Sequence, residues 1–182
     1  MRYEDLPKDI TSGIVRAINR SAVTALNAVV KNISSNYNIT SGNLKKLIRI
    51  TKADRFKLSA ILRFRQKSLG LIMFGARRTE KGVSVKIKRS GGRQIRRAPS
   101  GGSFIATMPS GHRGVFVRTG VKSVMRSGRY KGKKREKIGE LFGPSAADIF
   151  KSHRSYDIAE KAFRKAFQKN IESELRYRIL VK

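Results

Sequence analysis

Cysteine and tryptophan are absent from this chain, histidine occurs twice, proline four times, and only twelve residues are acidic. Each shortage excludes something. Without cysteine there is no disulfide framework and no thiolate metal site, a usage that fits a reducing compartment. The two histidines, His112 and His153, offer no metal-ligand spacing. His112 sits between glycines in "PSGHRGVF" and reads as a turn residue; His153 has only Asp148 and Asp157 within five residues. No apolar run approaches the length of a membrane span, and the opening "MRYEDLPKDI" lacks the basic-then-apolar order of a signal peptide. There is no Walker A motif and no dinucleotide fingerprint. The Gly-rich "SGGR" and "SGGS" have neither the following helix nor the Lys-Ser/Thr partner of a phosphate cradle. Asp54, Glu80 and Glu136 stand alone, without the paired-carboxylate spacing of metal-assisted hydrolysis. The expectation is no enzyme, no metal and no cofactor.

What is abundant is positive charge. Forty-two Lys and Arg oppose the twelve acids, a formal net charge of +30 in 182 residues. A chain so charged repels itself unless anions or acidic partner surfaces surround it. It binds nucleic acid non-specifically through counterion release whatever its biological task, so simple binding says little about function. The distribution is more informative. From Lys81 to Arg135 there are sixteen Lys or Arg and no acid, while the acids sit mainly towards the two ends. Basic patches or loops attached to a helical body are the expected result.

Hydrophobic periodicity supplies that body. Ile14, Ile18, Ala22, Ala25, Val29, Ile33 and Tyr37 recur every three or four residues, a helical stripe over about 10–37. Ser41 or Thr40 is placed to cap a short helix over about 43–48. The first helix is too long and the second too short for a helix-turn-helix. The period then changes to two: "KLSAILRFR", "VSVKIK", "SLGLIMF", "SFIATM" and "GVFVR" read as strands, separated by Gly-rich breaks. "KIGELF" reads as a last strand ended by Gly143-Pro144, and "SAADIFKS" as one or two helical turns. Ile158, Ala162, Ala166 or Phe167, Ile171, Leu175 and Ile179 restore the helical period over about 156–180. The pattern predicts an α+β fold: one domain over 1–182, with an antiparallel sheet or half-barrel in about 55–142. One sheet face is buried, one wet, and long helices at both ends pack against the sheet. Mobile basic loops are expected near 89–102 and 126–136.

Seven of the twelve residues from Arg126 to Lys137 are basic. Lys131, Lys133, Lys134 and Arg135 are the first candidates to contact DNA or an acidic partner, followed by Arg93, Arg96 and Arg97. Phe104, Phe116 and Tyr130 interleave with cations, a composition that can stack on bases; the same Phe residues can equally point into a sheet core. On residues alone the function divides between a cellular nucleic-acid-binding protein, ribosome- or nucleoid-associated, and a subunit of an assembly that meets nucleic acid or acidic protein.

Four passages carry a resemblance that separates these readings. They are "IVRAINRSAVTALNAVVKNISSNYNI", with Ala17, Asn19, Arg20 and Ala25; "LKKLIRITKA"; "GSFIATMPSGHRGVFVR"; and "KIGELFGPSAADIF", followed by "NIESELRY" in the closing helix. In this order, and at this length and basicity, the chain resembles the minor tail protein Z, or tail completion, family of lambda-like long-tailed bacteriophages. The resemblance implies a structural virion protein at the head-proximal end of the tail, assembled in the host cytoplasm. It implies a homo-oligomer, a sixfold ring matching the tail tube. The partners it implies are terminator, tube or tape-measure proteins and head-tail connector proteins, with double-stranded DNA in the lumen and no membrane. Ala17, Asn19, Arg20, Ala25, Phe116, Phe142, Gly143 and Pro144 are the candidate structural and assembly contacts.

Overall fold

A computed structural model of the chain describes residues 7–98, 101–152 and 154–180, with residues 97, 98, 179 and 180 described by their backbone alone. The fold is α+β, with helices at both ends of the chain and small antiparallel sheets between. By its internal contacts the chain divides into two compact units, one formed by 1–34, 41–66 and 146–182, the other by 35–40 and 67–145.

The first unit is mainly helical. Helix α1 (Lys8–Asn36) buries Ala17, Ile18, Ala22, Ala25, Val29 and Ile33, five of which are the i, i+3/i+4 stripe read from the sequence, and leaves Ile14 half-buried. Helix α2 is Ser41–Leu47, and its last residue passes directly into strand β1 (Ile48–Thr51), which pairs with β2 (Ile61–Phe64) in an antiparallel hairpin. Asp54 shapes the connecting loop by accepting the Phe56 and Lys57 amides at 2.8 and 2.9 Å. Helices α3 (Ala146–Ser152) and α4 (Ser155–Leu180) complete the unit. Phe150 on α3 stacks on Phe64 at a centroid distance of 3.9 Å and meets Tyr156 edge-on.

Polar contacts lock α4 antiparallel to α1. Asn170 Nδ2 donates to Ser21 Oγ at 3.0 Å, and the buried Glu174 carboxylate receives Arg20 at 3.1 Å and Arg178 at 3.7 Å. Gly13 makes room for this arrangement, because a Cβ there would lie 2.8 Å from Arg178 Nε. The buried acid thus offsets two guanidinium charges, only one of which is itself largely shielded from water.

The second unit holds a six-stranded antiparallel meander and a two-stranded sheet. The meander runs β4 (Arg77–Thr79), β5 (Gly82–Val85), β6 (Gln94–Ala98), β7 (Gly101–Thr107), β8 (Arg113–Val124) and β9 (Lys134–Glu140). Strands β3 (Ser68–Gly70) and β10 (Phe142–Ser145) form the small sheet. Leu69, Leu71, Phe74, Val83, Val85, Val115 and Phe116 are buried.

Several elements depart from the sequence pattern. In "SLGLIMF" only three residues extend as β3; Leu71–Phe74 form a 3-10 turn closed by Gly75 at φ 64°. The alternation in "VSVKIK" does not divide β5 into a buried and a wet face, since all four of its residues are buried. Ser84 tolerates this position because its hydroxyl accepts Arg93 Nε at 2.9 Å. The stretch expected as a loop near 89–102 carries β6, joined in register to β5 and β7. Ser103 ties this corner: its hydroxyl accepts the Val83 amide at 2.8 Å and donates to the Arg96 carbonyl. Pro144 does not end a strand but lies within β10, whose register is irregular between Phe142 and Ser145. An interrupted ladder of this kind accommodates a residue without an N–H.

Two side chains test the helical unit. Asn19 exchanges hydrogen bonds with the Ala53 backbone, Nδ2 to O at 3.0 Å and N to Oδ1 at 2.8 Å. Asn19→Ala is expected to cost about 2 kcal/mol, a fall in melting temperature of about 4–8 °C by calorimetry. Glu174→Ala leaves Arg178 shielded and unpaired, and chemical denaturation should show a loss of about 3–5 kcal/mol.

Candidate functional site

The most basic stretch of the sequence forms a two-stranded arm. Strand β7 pairs with β8 only from Arg113 to Val117, so the remainder of β8 has β9 as its sole strand neighbour. The β8–β9 ladder breaks between Arg118 and Lys122 and resumes with Lys122 opposite Glu136, Ser123 opposite Arg135 and Val124 opposite Lys134. Gly120 makes the break possible with φ 77°, and its amide donates to Glu136 Oε1 at 2.7 Å. The tip is closed by Met125 N to Lys133 O at 3.0 Å and Gly132 N to Met125 O at 2.9 Å, with Gly128 and Gly132 at positive φ. The stretch expected as a loop near 126–136 is therefore a hydrogen-bonded turn running into β9.

From Arg118 to Arg135 every residue is exposed except the half-buried Ser123. Lys131 and Lys133 lie at the tip, and Lys134 and Arg135 open β9. Arg135 stands 4.1 Å over the Tyr130 ring and Arg129 lies 5.9 Å from its centroid, so the tyrosine is held by two guanidinium groups. Along the arm Phe104, Arg118, Met125 and Ile138 border an open groove of about 450 Å³. The surface is cationic, with apolar patches beside the groove.

The other basic candidates do not join this cluster. Arg93 is committed to the fold: besides Ser84 Oγ, its guanidinium donates to the Gly75 carbonyl at 2.7 Å and the Ser84 carbonyl at 3.1 Å. Arg96 is half-buried on β6, with a buried Nε that has no partner. Arg97 pairs with Gly102 through its backbone; its side chain lies outside the described residues.

The assembly candidates divide in the same way. Ala17 and Ala25 are buried, Asn19 holds Ala53, Arg20 pairs with Glu174, and Phe116 is buried between its ladder partners Phe104 and Glu140. Gly143 packs on the core, where a Cβ would lie 3.0 Å from the Phe74 ring. Pro144 is half-buried, and Phe142, 55% exposed, presents a free aromatic surface.

Sequence reasoning missed the partnerships of the acids in this unit. Glu140 Oε2 meets His112 Nε2 at 2.9 Å, under Gly114, whose missing Cβ would otherwise lie 2.7 Å from Glu140 Oε1. His112 does sit in the loop before β8, but it faces a carboxylate twenty-eight residues away. Only the strand register brings the two together. His153 lies outside the described residues. Among the described residues no three His, Cys, Asp or Glu side chains gather as a metal site, and no helix is long and apolar enough to cross a membrane. The arrangement suits ionic contact with an extended anion.

The model of the family described as prophage minor tail protein Z matches residues 4–181, nearly the whole chain. No curated protein and no solved structure matches it.

The glycine bulge gives the arm a separate test. Gly120→Ala places a side chain at φ 77° and is expected to cost about 1–2 kcal/mol locally. Hydrogen exchange should accelerate in 118–138 while α1 and β5 stay as protected as in the parent chain.

Proposed function

The chain belongs to the prophage minor tail protein Z family, structural components of a phage tail, and on that premise we propose that it completes the head-proximal end of the tail as a homo-oligomeric ring. In this role it prepares the tail for joining to the head and surrounds the path of the DNA. The family match over 4–181 carries the proposal. It also displaces the ribosome- or nucleoid-associated reading that charge alone left open.

The architecture suits a ring subunit. Heterologous contacts that close on themselves need two different surfaces on one chain. The six-stranded sheet offers two unlike edges, β4 and β9, and exposed aromatic residues occur at Phe142, Tyr156 and Tyr177. Charge sets a condition on closure. Copies that each carry +30 repel one another, so a ring needs polyanion in its lumen or acidic neighbours around it. Terminator, tube or tape-measure proteins and head-tail connectors are the neighbours that a subunit at this position would meet.

Particles assembled without this protein should contain tails that do not join heads. Restoring the chain should restore joining, read by electron microscopy and infectious titre. Native mass measurement of the purified tail-end complex should give an integral multiple of the chain, six in the sixfold case. A chain that stays monomeric in that complex would sink the ring.

A further inference from the structure

From Arg118 to Glu140 the β8–β9 arm contributes no buried residue to the hydrophobic core, which makes its composition informative. Among the described residues it has no third strand beyond Val117, and its residues are exposed almost without exception. A two-stranded ribbon is marginal on its own, and crowding like charges on it weakens it further. Among the described residues no ion pair involves Arg126, Arg129, Lys131, Lys133, Lys134 or Arg135. The nearest acid, Glu136, spends its carboxylate on the Gly120 amide. Apart from the cation–π contacts of Arg129 and Arg135 with Tyr130, stability within the chain therefore does not account for these cations.

We propose that the arm is a sequence-independent clasp for the backbone of double-stranded DNA, with Lys131, Lys133, Lys134 and Arg135 on phosphates and Tyr130 orienting Arg135. Exposure and charge of one sign carry the proposal. Lys131 and Lys133 lie at the tip; in β9 Lys134 and Arg135 fall on opposite faces, with Lys137 about 7 Å beyond Arg135 on the same face. A run of exposed charges of one sign matches a linear polyanion. A folded acidic protein presents both signs, and its complement would carry acids among the bases. A two-stranded ribbon also has the dimensions to enter the major groove. From Arg118 to Ile138 there is no Asn or Gln, the side chains that pair bidentately with adenine. The proposed contact is with phosphate, which does not select sequence; guanine reading by the same Arg and Lys would show as a preference for the GC-rich duplex.

The proposal takes its biological setting from the tail reading, but its test does not depend on it. The purified full-length chain is titrated with salt against random, AT-rich and GC-rich duplexes. The arm variant carries K131Q, K133Q, K134Q and R135Q; a control carries K45Q, K46Q, K161Q and K165Q on exposed helical positions, with the same net charge. The slope of log affinity against log salt should fall by about 3–4 in the arm variant and by less than about 1 in the control. The three duplexes should behave alike. A charge-preserving variant with K131R, K133R, K134R and R135K should keep the parental slope, which separates lost charge from a lost fold. Tyr130→Ala should weaken duplex binding with the slope nearly unchanged.

Equal slope losses in arm variant and control would overturn the clasp in favour of diffuse charge. So would an arm variant that binds duplex normally but loses affinity for poly-glutamate, which would assign the arm to an acidic protein. Marked preference for one duplex would overturn sequence independence. If the slope difference appears while microscopy shows no rings, the tail-end reading fails and the clasp stands.

Discussion

Uncompensated positive charge is the constraint on which this molecule's organisation depends. Twelve acids face forty-two cations, and four of the described carboxylates hold particular turns or pairs of elements in place. Glu174 is buried against Arg20 and Arg178 and fastens α4 to α1. Glu140 meets His112 across β9 and the loop before β8. Glu136 accepts the Gly120 amide and shapes the bulge of the arm. Asp54 turns the β1–β2 loop. Each of these acids holds a backbone turn or a pair of elements in place, so the cations left over are spread on the surface with little to neutralise them.

That division explains why the two groups of basic residues behave differently. Arg93 satisfies one side-chain and two backbone acceptors in the second unit, and Arg178 sits in the space that Gly13 leaves free. The Arg93 guanidinium acts as a multi-donor brace, a role that the planar fork of arginine suits, whereas Arg178 contributes an ion pair with Glu174 at 3.7 Å. The arm cations have no such internal acceptors. Their free charge is a property of the tail protein's surface, where only a partner can neutralise it.

Much of the helical unit was legible in the residues. The stripe from Ile18 to Ile33 predicted the buried face of α1 because a 100° step per residue maps directly onto one side of a helix. Helix α4 was legible for the same reason. The sheet unit was less so. In β5 the alternation of Val83, Ser84 and Val85 implied a wet face, yet Ser84 is buried because Arg93, nine residues later, brings its hydrogen bonds. "LIMF" has strand composition but turns as 3-10 because Gly75 can adopt φ 64°. The basic run was legible as charge, whereas the hydrogen-bonded turn that presents it needed Gly120, Gly128 and Gly132 in left-handed conformations and the register of β8 on β9.

Composition and periodicity by themselves determined the α+β class, the two long helices and the cationic surface, because these are sums over residues or repeats at short range; the likeness to phage tail proteins rested on particular passages in order along the chain. The tertiary structure decided which charges meet a carboxylate of the same chain and which do not. Arg20 and Arg135 are equivalent as letters. One lies 3.1 Å from a carboxylate 154 positions further along the chain, the other on a ribbon, over a tyrosine ring and opposite a serine in the strand register. Pairing over such separations is set by strand register and helix packing, and no local pattern encodes it.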